Sequence, residues 1–473
     1  MKKATDIISP AHAPVVYAGL PAAVCVVGMS LLLMPGASPL VLLAGWLAGW
    51  AAVAVPYMRS RWSSQAGSWV LLFVSVLLAA GITANCYYYI NVWGNGDVSA
   101  PVLMNFDAWS AWNNALFDNG RPDAMECSWP AKGYGHLVGI FVWLLGADIC
   151  IPLLFNAFFA LATIALTGSI TYICGDGDER LRRRTATAAM IICSCMCYFL
   201  ASGTILIKDT ALAAALALLI WSALRFSSRH AAAMAAMALG TVLIWYCRPN
   251  YLLLELCIMV VFAIVGRGSQ RSLCIAVALA AGIAWVCMQY LGEIRDIRFY
   301  ADVSGRGFAD NPGEVEHHGI FFALFNDYYS IPTWQRLMLL PATTGIQFLI
   351  PLPWTWDKYL VFGPMMALAH MSFFRYAAGI LVAYFSIHQF RKQRAPLTLN
   401  IIVAIGLFFY VASAYQFGGT VSRYGIPLIS MLVPAAAYCT THYSRDPFFK
   451  KAMVLMSVAL TIVLVLSYKF TSL

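Results

Sequence analysis

Charged residues are scarce in this chain, and that scarcity excludes most classes of soluble protein. Asp, Glu, Lys and Arg make up 11% of the 473 residues, whereas 61% are hydrophobic. Soluble globular domains carry about 25% charged residues, and a soluble fold could not cover so much apolar surface with so few polar side chains. The composition therefore predicts an all-α polytopic membrane protein that forms a single integral membrane domain over residues 1–473.

Long polar stretches are also few, because apolar runs of membrane-spanning length occupy most of the chain. A helix needs about 20 apolar residues to cross the ~30 Å hydrocarbon core of a bilayer. Such runs predict about thirteen transmembrane helices, at residues 14–35, 39–58, 67–92, 149–173, 187–203, 210–226, 230–247, 250–266, 273–291, 366–389, 397–416, 424–441 and 449–468.

Acidic residues are nearly absent from alternate loops. If the N-terminus is cytoplasmic, the inner segments hold 18 of the 30 basic residues but only five acidic ones. This is the positive-inside pattern, so the net charge of +9 reports membrane topology. No folded face gathers the basic residues, which argues against nucleic acid as a partner.

No cysteine spacing typical of a metal site is present, although the chain has 13 cysteines. Cys193, Cys195 and Cys197 would point to different faces of one helix, so they form a poor ligand set. Most of the cysteines lie in apolar runs and are interpreted as small packing residues. A disulfide between Cys127 and Cys150, both on the predicted outer side, stays open.

The predicted outer side differs from the inner side because it holds two long loops, at residues 93–148 and 292–365. Within the first loop, residues 133–146 are apolar but too short to span, which predicts a helix lying at the membrane surface. In the second loop, residues 337–354 are apolar but interrupted by three prolines, beginning with Pro341. They are expected to form a re-entrant or interfacial segment. Any chemistry is therefore expected at the outer face.

Charged residues stand at several predicted outer turns at similar membrane depth. They are Asp107, the adjacent Lys208 and Asp209, Arg248 and Arg423. A charge near the hydrocarbon costs a few kcal/mol and commonly marks a functional cavity. Cations beside two carboxylates at one level predict a binding site for an anionic lipid headgroup, with a base next to it.

Five short motifs follow one another along residues 67–441 in an order that resembles a known family. The order is similar to that of the GT-C superfamily of membrane glycosyltransferases, which includes the protein O-mannosyltransferases and the lipid A aminoarabinose transferase. The motifs are FDAW (106–109), SWPAKGYGHLVGIFVWLLG (128–146), ILIKDTALA (205–213), CRPNY (247–251) and RYGIPLISML (423–432).

The resemblance implies a GT-C-like fold and a reaction. A sugar would leave a polyprenyl phosphate, with inversion, and join a glycan, lipid or protein acceptor at the outer face. Asp107 matches the family's base, which would take the acceptor's proton, and Asp209 is expected to assist. Many relatives have a second acidic residue after the first, where this chain has Ala108. No cofactor is therefore expected, and a divalent metal held by the two aspartates is not favoured.

The phosphate leaving group would be held by cations. Arg248 and Arg423 are the main candidates, followed by Lys208 and Lys132, since fixed cations stabilise the growing negative charge. Three tryptophans are candidates for stacking on a sugar ring, namely Trp109, Trp112 and Trp129.

Two other functions fit parts of the pattern. A polymerase or ligase acting on polyprenyl-diphosphate oligosaccharides would also need outer loops rich in arginine. A lipid or sugar transporter fits less well, because no internal repeat is found and the charges lie near one surface. The location expected for all three is a bacterial inner membrane, with the N-terminus cytoplasmic and the active site periplasmic.

Overall fold

A computed structural model describes most of the chain, and the described residues form helices without any strand. The described residues are 9–34, 38–93, 106–121, 124, 132–146, 148–226, 228, 230–266, 268–290, 332–349, 363–392, 395–417 and 422–471.

Eighteen α-helices lie in these ranges. They are α1 (Leu20–Leu32), α2 (Pro39–Met58), α3 (Gln65–Tyr88), α4 (Phe106–Asp118), α5 (Lys132–Leu145), α6 (Cys150–Cys174), α7 (Glu179–Ser194), α8 (Cys197–Ser202), α9 (Asp209–Arg225), α10 (His230–Cys247), α11 (Leu252–Val265), α12 (Gly268–Tyr290), α13 (Thr333–Leu349), α14 (Pro364–His370), α15 (Phe374–Lys392), α16 (Leu397–Phe417), α17 (Ile429–His442) and α18 (Pro447–Thr471).

Eight helical stretches of the described chain are long and apolar enough to cross a membrane, and each coincides with a predicted span. Large apolar side chains remain exposed along them, as expected for helices in contact with lipid. The described part is thus that of a helical membrane protein.

The other five predicted spans correspond to shorter or interrupted helices. The span predicted at 187–203 is divided between α7 and α8, because Met196 leaves the helical conformation with a ψ of 76°. The span predicted at 366–389 is divided between α14 and α15. Neither break has a proline signal, so the apolar pattern alone could not reveal it.

One end of the helix bundle carries the basic loop between α6 and α7. The guanidinium of Arg182 donates to the carbonyl of Tyr172 at 2.9 Å and lies 4.4 Å from the centre of its ring. The end of α17 reaches the same place, where the Tyr438 hydroxyl donates to Asp176 at 3.2 Å and His442 lies 3.0 Å from the same carboxylate. This is called the basic end.

Helix directions then place several other helix starts at the opposite end. The late α9 residue Trp221 donates to Ser169, near the end of α6, at 3.1 Å. The late α15 residue Gln389 donates to Tyr443, just after α17, at 3.1 Å. Since α6, α9, α15 and α17 all finish at the basic end, all four begin at the opposite end.

Helices α4 and α5 pack side by side at this opposite end. A Cβ at Gly135 would lie 3.0 Å from the carbonyl of Ala111, and a Cβ at Gly139 would lie 3.5 Å from the Cα of Ala115. These matched positions show that the two helices run in the same direction. Helix α5 confirms the helix predicted at 133–146, and α4 begins at the predicted FDAW motif.

The expectation that Pro341 interrupts the apolar segment 337–354 was wrong for its described part. Helix α13 continues through Pro341 to Leu349. A proline removes one backbone donor and bends a helix, but neighbouring turns can accommodate the bend. Residues 350–362 lie outside the described residues.

A single buried amide fixes the turn between α8 and α9. Asn156 of α6 donates from Nδ2 to the carbonyls of Ile205 at 2.6 Å and Ile207 at 2.9 Å. Its Oδ1 accepts from the hydroxyls of Tyr134 at 3.1 Å and Thr210 at 2.8 Å. Asn156 therefore joins α5, α6 and the start of α9 in the interior, where unpaired polar groups are costly.

Replacing this amide should destabilise the protein. Asn156→Leu removes four interior hydrogen bonds and leaves the Tyr134 hydroxyl without this acceptor, and each buried group left unpaired costs about 1–3 kcal/mol. We expect the melting temperature of the detergent-purified protein to fall by several degrees. Asn91→Leu is the matched control, because Asn91 is exposed and donates to the nearby Tyr87 carbonyl. Equal melting temperatures for the two variants would contradict the role of Asn156.

Candidate functional site

The candidate site lies at the end of the bundle opposite the basic end, where α9 begins. Lys208 immediately precedes α9 and Asp209 is its first residue. Both side chains are buried, with 2% of Lys208 and 0% of Asp209 exposed. An acidic residue in the first helical turn is favoured by the positive end of the helix dipole, which accounts for the local position of Asp209.

The carboxylate of Asp209 is unusual because neither oxygen has a hydrogen-bond partner among the described residues. Burying an ionised carboxylate without compensation is strongly unfavourable. Groups left in this state in a native structure commonly serve a ligand or a reaction. The structure thus leaves two acceptor oxygens available at the start of α9.

Cations from two separate turns lie near this carboxylate, around one buried thiol. The charges of Lys208, Asp209 and Arg248 all act on the thiol of Cys247, the buried last residue of α10. The guanidinium of Arg248 also lies 5.8 Å from the centre of the Tyr251 ring. These four residues, Lys208, Asp209, Cys247 and Arg248, are called the charged cluster.

Helix α5 closes one side of the charged cluster. Its residue Tyr134 is buried, and its pKa is raised well above the usual range by burial and, less strongly, by Cys247 and Asp209. The phenol therefore stays neutral and donates to Asn156. The neighbouring Gly133 touches α10, because a Cβ there would lie 2.3 Å from the carbonyl oxygen of Tyr246.

For the two predicted site residues on α4 and α5, the structure gives the position of the backbone. Asp107 is the second residue of α4 and Lys132 the first of α5. Because the helices run in the same direction, with Ala111 beside Gly135, the first turn of α4 lies next to the first turn of α5. The side chains of Asp107 and Lys132 lie outside the described part of the structure.

Arg423 belongs to a 3-10 segment, Ser422–Leu428, that packs against α9 and leads into α17. Its backbone is thus at the same end of the bundle as the charged cluster. Its side chain lies outside the described part.

The three predicted tryptophans differ in their surroundings. Trp112 is 8% exposed and belongs to the hydrophobic core, whereas Trp109 is only partly buried against that core. Trp129 lies outside the described residues. Of the two described side chains, Trp109 has more surface available for stacking.

The backbones of the predicted charged residues lie at the same end of the bundle, and three further residues there were not singled out from the sequence. These three are Tyr134, Asn156 and Cys247. In the sequence their neighbours are those of ordinary packing residues. Only their contacts with the start of α9 connect them with the site.

Among the described residues, no group of three or more His, Cys, Asp or Glu side chains could hold a metal ion. Cys150 is a free, buried thiol, and Cys127 lies outside the described residues.

This arrangement can bind an anion and move a proton. Lys208 supplies positive charge in surroundings that water reaches poorly, where electrostatic attraction is stronger than in solution, and the half-buried Arg248 adds a second positive charge. The Asp209 carboxylate can accept a hydrogen bond from a hydroxyl group beside that anion.

Comparison of the chain with models of protein families, with curated proteins and with solved structures found no match.

Tight contact between α5 and α10 should determine whether the charged cluster stays enclosed. In Gly133→Ala the new methyl group meets the Tyr246 backbone, so α5 must move away from α10 at a cost of about 1–3 kcal/mol. We expect Cys247 to react several-fold faster with a maleimide, as measured by mass spectrometry of its peptide.

The matched control is Gly28→Ala in α1, where a Cβ meets nothing within 4 Å. It should leave the labelling of Cys247 unchanged. Slow labelling of Cys247 in both variants would show that α5 does not enclose the cluster.

Proposed function

We propose that this chain is a membrane glycosyltransferase that moves a sugar from a polyprenyl phosphate to an acceptor, with inversion, at the outer face of the membrane. The observation that supports it most is the charged cluster. A buried carboxylate without a hydrogen-bond partner among the described residues lies near cations from separate turns, at one end of a helical membrane bundle. The order of motifs that resembles the GT-C superfamily supplies the reaction.

The cations suit the leaving group of this reaction. As the bond between C1 of the sugar and the phosphate oxygen breaks, negative charge grows on the lipid phosphate. Lys208 is buried and held by packing, so it needs little reorganisation to stabilise that charge, and the partly buried Arg248 adds a second cation. Arg423 and Lys132, whose backbones lie at the same end, would complete the phosphate contacts.

The two carboxylates, Asp107 and Asp209, would act on the acceptor hydroxyl, which is the nucleophile. An acceptor hydroxyl would transfer its proton to Asp107 while its oxygen forms the new bond to C1. A positioned base of this kind contributes about 10²–10⁴-fold to a rate. Asp209 would accept a hydrogen bond from the sugar or acceptor and so orient it. Trp109 would contact the sugar ring.

The proposed topology follows from charge. The basic end faces the cytoplasm, as the positive-inside rule requires, and the charged cluster faces the periplasm of a bacterial inner membrane. About thirteen segments then cross the membrane, because the shorter helices α9, α11, α15 and α17 would cross together with the eight long ones and the interrupted α7–α8 pair.

Replacing the proposed base tests this function. The purified protein in nanodiscs would receive a panel of radiolabelled polyprenyl-phosphate sugars and a membrane-glycan extract. We expect one donor to lose its label to an acceptor, and Asp107→Asn to slow this at least about 100-fold while donor binding and melting temperature are retained.

Asp118→Asn is the matched control, since Asp118 is at the other end of α4, where it contacts His136. It should retain turnover. Full activity of Asp107→Asn would exclude Asp107 as the base. Turnover of diphosphate-linked oligosaccharides alone would indicate the polymerase, and lipid movement without a covalent product would indicate a transporter.

A further inference from the structure

A cavity lies at the same end of the bundle. It has a volume of about 240 Å³ and is lined by α8, α13, α15, α16, α17 and the 3-10 segment that contains Arg423. Most of its walls are apolar, formed by Phe199, Phe348, Val382, Leu407, Ile426 and Val433.

One cation projects into these apolar walls. Arg375 lies in the first turn of α15 and lines the cavity. Its guanidinium donates to the Leu349 carbonyl at 3.0 Å and lies 4.5 Å from the centre of the Tyr376 ring. Its Nε atom is buried and has no hydrogen-bond partner among the described residues. Arg375 thus retains an unused donor and a positive charge facing apolar surroundings.

One acceptor accompanies this donor. Gln347 of α13 also lines the cavity and is 2% exposed. Its Nε2 donates to Ser413 at 2.8 Å and to the Tyr410 carbonyl at 3.4 Å, which fixes the orientation of the amide. Its Oε1 is buried and has no hydrogen-bond partner among the described residues. A donor and an acceptor without partners among the described residues, on two side chains that line one apolar cavity, could both be satisfied by a single ligand.

The ligand must therefore have three parts. It needs an anionic oxygen for Arg375, a hydroxyl or amine hydrogen for Gln347, and apolar atoms for the remaining walls. A volume of about 240 Å³ is smaller than the ~300–1,000 Å³ of typical small-molecule pockets, so it holds a headgroup and the first carbons only. Phe373 and Phe374 are exposed apolar residues directly beside Arg375, which places the surrounding lipid next to this charge.

We propose that this cavity binds a glycerophospholipid of the surrounding membrane whose headgroup carries a hydrogen-bond donor. The phosphate accepts from Arg375, and the ethanolamine or glycerol group donates to Gln347. The acyl chains leave the cavity along the exposed apolar residues. None of these residues is assigned to the glycosyltransferase reaction, so the inference is independent of that function.

Binding of defined lipids to the delipidated full chain tests the proposal, measured by native mass spectrometry. Phosphatidylethanolamine and phosphatidylglycerol should bind about tenfold more tightly than phosphatidylcholine, which has the same phosphate but no donor hydrogen. Gln347→Leu should abolish this preference while phosphatidylcholine binding persists. Arg375→Gln should weaken the binding of all three lipids.

Two controls separate the cavity from the general lipid surface. Arg336→Gln changes an arginine of α13 that does not line the cavity, and Ala404→Phe changes an exposed residue of α16; both should bind like the wild type. Ala383→Phe fills the cavity and should abolish the binding.

Three results would overturn the proposal. Equal affinity for the three phospholipids would contradict a hydrogen bond from the headgroup to Gln347. Binding unaffected by Arg375→Gln and Ala383→Phe would place the lipid elsewhere. Tighter Arg375-dependent binding of a polyprenyl phosphate or of inorganic phosphate would assign the cavity to another ligand.

Discussion

Charge buried inside an apolar helix bundle is the constraint on which the arrangement of this protein depends. Asp209 is completely buried at the start of α9, with no hydrogen-bond partner among the described residues. In such surroundings an isolated carboxylate is strongly unfavourable unless other charges offset it. Lys208 and Arg248 are the cations near this carboxylate, because the turns before α9 and after α10 bring them together around Cys247.

Packing of the neighbouring helices keeps those turns together. Asn156 holds the carbonyls of Ile205 and Ile207, which fixes the approach to α9. Gly133 lets α5 lie directly on the end of α10. Asn156 and Gly133 are polar or small, and a large apolar side chain at either position would separate the neighbouring backbones. Arg375 is a second charge in apolar surroundings, and it lines the same cavity as Gln347.

The apolar pattern of the sequence predicted the long helices well, because a lipid-facing helix needs only length and hydrophobicity. The apolar pattern failed where the packing of neighbouring helices determines the backbone conformation. The break at Met196 and the continuation of α13 through Pro341 depend on neighbours that are distant in the sequence. The chain positions of the charged residues were predictable because isolated charges stand out at turns. Tyr134 and Arg375 could not be predicted as site residues, since their burial and partners arise only when separate helices meet.

The central claim is that separate turns form one anion-binding site, and a double-mutant cycle tests it directly. Polyprenyl-phosphate binding would be measured for the wild type, Lys208→Met, Arg248→Gln and the double variant. If both cations contact one phosphate, their effects should be non-additive, with a coupling energy of about 1 kcal/mol or more. Strictly additive losses, or no loss in either variant, would contradict a shared site.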